Sequence, residues 1–162
     1  RIPYLLAAGF RGAIYATTAT AALLPLVIED ALKVGVTRNK SIISACLKLL
    51  KNQLVPLEYK QWQEIELNQP AHPDLVEEPK RVKIKFQPAG HILGSAYVEI
   101  DIIKAKKDYH RIVFSGDLGA PYAPLLPAPK SPYSADTLVI ESTYGDKNHQ
   151  SRKTEQTTYK KL

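Results

Sequence analysis

The apolar positions along this chain recur first at helical spacing and later at strand spacing. Residues 1 to 8 are largely apolar and run into Gly9, the pattern of a last helical turn with a glycine just beyond it. Ala13 to Ala16 form a short strand candidate. Thr17, Thr18 and Thr20 then offer N-cap oxygens to a long segment in which Leu23, Leu24, Val27, Ile28, Ala31 and Leu32 recur at helical spacing as far as Gly35. Lys40 to Lys51 predicts another helix, with Ile42, Ile43, Cys46, Leu47 and Leu50 on one face, ending before Val55-Pro56. Residues 57 to 66, including Trp62, predict a further helical turn or two. Strand followed by capped helix is the grammar of an α/β fold.

From Asn68 to Pro79 three prolines among acidic and polar residues predict a loop, and the period then changes to two. Val82, Ile84 and Phe86 alternate with Arg81, Lys83 and Lys85, a strand with one face toward a core and a basic face toward water. Tyr97 to Ile103 and Arg111 to Phe114 predict a β-hairpin around the polar turn Lys104 to Tyr109. The stretch from Gly119 to Ser134 carries Pro121, Pro124, Pro127, Pro129 and Pro132, and predicts a rigid irregular crossing. Leu138-Val139-Ile140 predicts a buried strand ending at Glu141. The polar, basic tail from Ser151 to Leu162 has helical propensity without an apolar stripe, and its cations read as a solvated face.

Composition narrows this picture only in part. The 162 residues are 44% hydrophobic and 23% charged, enough for a sizeable core. No apolar run approaches the roughly 18 residues a membrane span needs, and no leader pattern points to secretion, so no membrane partner and a cytoplasmic location are expected. The net charge of +6 favours an anionic partner such as nucleic acid. Cys46 has no partner for an internal disulfide and reads as a buried structural thiol. Trp62 reads as core packing in preference to a base-stacking platform, His72 as an exposed loop histidine, and His110 as a surface residue at a strand edge.

Three short segments carry the candidate chemistry: Gly90-His91-Ile92-Leu93-Gly94-Ser95-Ala96, Ser115-Gly116-Asp117-Leu118-Gly119 and Glu141-Ser142-Thr143-Tyr144-Gly145-Asp146. Each ends or interrupts an apolar run, and each sets a metal-ligating or proton-moving side chain beside glycines that permit close approach. A hydrolytic zinc site uses imidazoles and carboxylates with one position open to water. Taken alone, His91 and Asp117 at strand ends are more often hydrogen-bonded structural residues than ligands, and Glu141 could as readily be a capping or salt-bridging carboxylate.

Together the three segments resemble the metallo-β-lactamase superfamily, and within it the β-CASP branch of RNA- and DNA-processing nucleases. The resemblance implies that His91 ligates one zinc and that Asp117 bridges both zincs of a two-metal centre. It also implies that Glu141 orients a histidine from later in the chain and helps protonate the leaving oxygen. Tyr144 and His149 recur in the look of the motif without an assigned role. Arg1-Ile2-Pro3-Tyr4-Leu5 looks like the sequence that follows the family's His-x-His-x-Asp-His motif, so the chain reads as a fragment that, with two ligands, binds little zinc and cleaves nothing by itself.

The fold expected is α/β: the C-terminal half of a metallo-β-lactamase αββα sandwich over 1–140, with the start of a truncated β-CASP domain over 141–162. The function expected of the parent is zinc-dependent hydrolysis of RNA phosphodiester bonds, with single-stranded DNA a weaker candidate substrate. Two rivals stand beside it, a non-catalytic scaffold paralogue and a hydrolase of small esters or thioesters.

Overall fold

A computed structural model of the chain describes residues 1–65, 81–105, 108–121 and 125–146. The expected loop from Asn68 to Pro79 with His72, and the tail with His149 and Ser151 to Leu162, lie outside the described residues.

The first part of the chain is a strand-helix-helix-strand unit preceded by a short helix. Helix α1 (Ile2–Ala7) ends at Gly9, whose φ of 97° suits glycine. Strand β1 (Ile14–Thr17) leads directly into α2 (Thr18–Gly35), where the Thr17 hydroxyl accepts the Thr20 N–H as a cap. Helix α3 (Lys40–Gln53) is capped by Asn39, and β2 (Leu54–Leu57) returns parallel to β1 with Ile14 opposite Leu54. Leu6, Ile28, Leu32, Ile43 and Leu50 form the buried core between the three helices, with Cys46 and Leu47 half-buried against it. Burial pushes the Cys46 thiol pKa up.

Helix α2 runs through Pro25, although a proline inside a helix costs about 3 kcal/mol. Burying Ile28 and Leu32 one and two turns later offsets that, at about 1.5–3 kcal/mol for each side chain.

The second part is a five-stranded mixed sheet in the order β3 (Gln63–Ile65), β4 (Arg81–Pro88), β5 (Ala96–Ala105), β6 (Asp108–Phe114), β7 (Thr137–Val139). All neighbours are antiparallel except β6 and β7, which run parallel. Helices with a mixed sheet make an α/β fold, as the sequence predicts. No helix among the described residues is long and apolar enough to cross a membrane.

Several local expectations are corrected. Of the stretch from 57 to 66, the described residues 57 to 65 hold the end of β2 and all of β3 instead of helical turns, because pairing with β1 and β4 outweighs local preference. Strands β5 and β6 extend into the stretch read as a turn. The strand at Leu138 is not buried: it lies at the sheet edge, with Leu138 and Val139 about half exposed. His110 is exposed as expected, but β6 is an inner strand, and its Nε2 lies 2.9 Å from the Thr137 hydroxyl of β7.

The face of β4 read as basic and solvated is instead largely neutralised. Lys85 Nζ sits 2.8 Å from the buried Glu99, directly opposite on β5, and Gln87 donates to the same carboxylate. Arg111 of β6 grips the buried Asp101 with two bonds of 2.6 and 2.7 Å. Trp62 is 38% exposed and does not pack in a core; its ring lies beneath Lys85 and Arg111, 4.4 and 5.2 Å from its centroid. Arg111→Leu leaves Asp101 buried without its cation, so unfolding in urea should show a loss of about 3–5 kcal/mol.

Candidate active site

Three loops leave the strand ends and are held against one another by backbone. The Gly119 N–H donates to the Ala89 carbonyl at 2.8 Å, joining the loop after β6 to the loop after β4. A Cβ at Gly119 would stand 1.8 Å from the Gly90 oxygen, so only glycine lets these segments touch. Gly90 has φ 68°, and a Cβ there would meet the Pro127 carbonyl at 2.6 Å, which seats the proline-rich crossing on the same loop.

Side-chain hydroxyls fix the rest. Ser95 Oγ accepts the N–H groups of His91 and Ile92, shaping the turn that presents the imidazole. The Gly94 carbonyl accepts from both Thr17 and Thr20 Oγ1, at 2.7 and 3.1 Å, tying this turn to the first turn of α2. Tyr59 donates its hydroxyl to the Ser95 carbonyl. Ser115, itself buried, donates to the Gly116 carbonyl and accepts the Glu141 N–H at 2.9 Å.

The result brings the three expected side chains together. His91 Nε2 lies 4.0 Å from Asp117 Oδ2, with the two side chains 47% and 78% exposed. Glu141 Oε1 accepts the Leu118 N–H at 2.6 Å, one residue beyond Asp117. That bond, a second from Thr143 and the nearby His91 hold the Glu141 carboxyl below the usual glutamate range. Serine and threonine at these loops were visible in the sequence as small polar residues. Their partners were not, since the Thr17 and Thr20 bonds to Gly94 cross 77 and 74 residues.

The donor types suit a divalent zinc ion. Two ligands with bonds of about 2.1 Å in tetrahedral geometry stand about 3.4 Å apart, so a small rotation brings His91 and Asp117 within range. Glu141 already spends its carboxylate on Leu118 and Thr143. Among the described residues no group of three or more His, Cys, Asp or Glu side chains surrounds a metal position, so this pair fits as part of a centre and not as a whole one.

Two outcomes are expected of the loop cluster. Gly119→Ala should lower stability by about 1–3 kcal/mol, the range for overpacking, with faster amide exchange at Gly119 as the local mark. The Glu141 bonds contribute stability above the ordinary glutamate range and lose it as pH falls through the lowered pKa. A carboxyl-carbon NMR titration should place Glu141 below an unpaired glutamate, and its acid limb should move the Leu118 amide resonance with it.

No family model matches the chain. Individual relatives do. The protein named ribonuclease TTHA0252 of Thermus thermophilus is 35% identical over 149 residues, covering 92% of this chain and 30% of its own length. The transcription termination factor FttA of Cenarchaeum symbiosum is 32% identical over 90% of this chain and 21% of its own. The endoribonuclease ysh-1 of Neurospora crassa is 30% identical over 91% of this chain and 16% of its own. The chain thus spans less than a third of the length of these curated relatives. With matches of this extent running through all three loop motifs, the chain belongs to the β-CASP branch of the metallo-β-lactamase superfamily, the branch of RNA-processing nucleases.

Proposed function

We propose that a protein carrying this chain is a zinc-dependent phosphodiesterase that hydrolyses RNA during RNA processing. The observation that supports it most directly is the meeting of His91, Asp117 and Glu141 on three backbone-locked loops. The names of its relatives, which include a ribonuclease and an endoribonuclease, agree with that reading. In this reading residues 1–140 are part of a metallo-β-lactamase sandwich and 141–162 begin a β-CASP domain.

When bound, a pair of zinc ions would supply an activated water and offset the charge that develops on the phosphoryl oxygens. His91 would offer one imidazole nitrogen, its turn held still by the Ser95 hydroxyl. Asp117, its side chain 78% exposed, would offer its carboxylate to both metals. Glu141 is the proton-handling group. As a carboxylate it would accept an N–H from a histidine later in the chain and hold that ring as the donor to the leaving oxygen.

Elemental analysis and RNA cleavage in the full-length protein separate these roles. Asp117→Asn should lose bound zinc and cleavage together. Glu141→Gln should keep its zinc while cleavage falls about 10²–10⁴-fold, the span of a lost acid-base contribution. Wild-type cleavage by the Glu141 variant would remove it from the mechanism, and full metal content in the Asp117 variant would remove the metal assignment.

A further inference from the structure

On the flank of the helical unit, α3 carries Lys40, Ser44, Lys48 and Asn52 at intervals of four residues, which sets them in one stripe with Lys51 beside it. The stripe borders a groove of about 540 Å³ whose other wall is Glu29 and Lys33 of α2, with Ile43 and Leu47 between them. Lys33 is already matched, its Nζ 2.6 Å from the Glu29 carboxylate. Four lysines against one glutamate leave the groove with three positive charges, and no carboxylate among the described residues lies within ion-pair distance of Lys40, Lys48 or Lys51.

The lining says which anion fits. No aromatic ring or arginine borders the groove, so it has neither a stacking platform for bases nor a forked donor for base edges. Nor does it have the buried aromatic anchor on which a protein partner would centre. Mobile ammonium groups above an aliphatic floor suit a repeating, exposed negative charge.

We propose that the α2–α3 groove holds the phosphodiester backbone of single-stranded RNA, independently of sequence and apart from the candidate active site. The identity of the polyanion rests on the ribonuclease reading above; the groove itself does not. Thr20, at the start of α2, bonds the loop of His91, and Lys33 lies about 20 Å farther along the helix at ~1.5 Å per residue. A strand at the duplex rise of ~3.4 Å per nucleotide would use about six nucleotides to join the two, and a more extended strand would use fewer. Long substrates should therefore bind more tightly than short ones.

The test uses the full-length protein and fluorescein-labelled oligo(U) and oligo(A), each about 20 nucleotides long, with binding followed by anisotropy over a range of salt. Single-strand contacts contribute about 0.7 per phosphate to the slope of log affinity against log salt, so Lys40→Gln, Lys48→Gln and Lys51→Gln combined should make it shallower by about 2. Gln matches Lys in helix propensity, and unchanged circular dichroism would confirm that α3 is intact. The same triple variant should raise KM for long RNA, leaving kcat and the turnover of a dinucleotide substrate unchanged.

An unchanged salt slope overturns the proposal. Competition by poly-glutamate as effective as that by oligo(U) overturns its assignment to nucleic acid. A protein that fails to cleave RNA but loses oligonucleotide affinity in the variant keeps the groove and sinks the nuclease reading. Cleavage with unaltered binding does the reverse.

Discussion

The contact on which the candidate site depends is a single backbone hydrogen bond, from Gly119 N–H to Ala89 carbonyl, made where two loops have no room between them for a methyl group. Strands β4 and β6 are not neighbours in the sheet, since β5 lies between them, so nothing in the ladder forces their following loops together. The loops meet only because Gly90 takes a positive φ and Gly119 lacks a side chain. His91 and Asp117 inherit their 4.0 Å separation from that approach. Glu141 is then fixed by the same loop through Leu118, so all three side chains share one backbone frame.

Much of this could be read from residue order. Periods of helix and strand located α1, α2, α3, β4 and the β5–β6 hairpin, and the glycine-flanked His91, Asp117 and Glu141 marked the loops that converge. What escaped were properties set by partners far along the chain. Strand β3 is three residues long and exists through its pairing with β4, so its local pattern passed for helix. Glu99 and Asp101 gave no sign of burial, because the cations that make it tolerable, Lys85 and Arg111, stand on other strands. Trp62 looked like core for a related reason: its large apolar surface is covered by charged side chains lying across it.

The two parts of the molecule manage charge differently. On the sheet face that carries Lys85 and Arg111, cations and carboxylates are matched strand by strand, which lets Glu99 and Asp101 be buried. On α3 the cations are left unmatched and exposed, where they contribute little to folding and keep their long-range field for something outside the chain. The net charge of +6 thus says little by itself. Its distribution says more.

Thr17 serves two structures at once, capping α2 and holding the Gly94 carbonyl, and Thr20 binds the same oxygen. The ends of a helix are where it frays. Here each fraying event would also remove two of the bonds that hold the turn carrying His91, so the order of the imidazole is coupled to the end-opening of a helix far from it in sequence. Substitutions along α2 remote from His91, Asp117 and Glu141 would then register as changes in how well the site stays assembled.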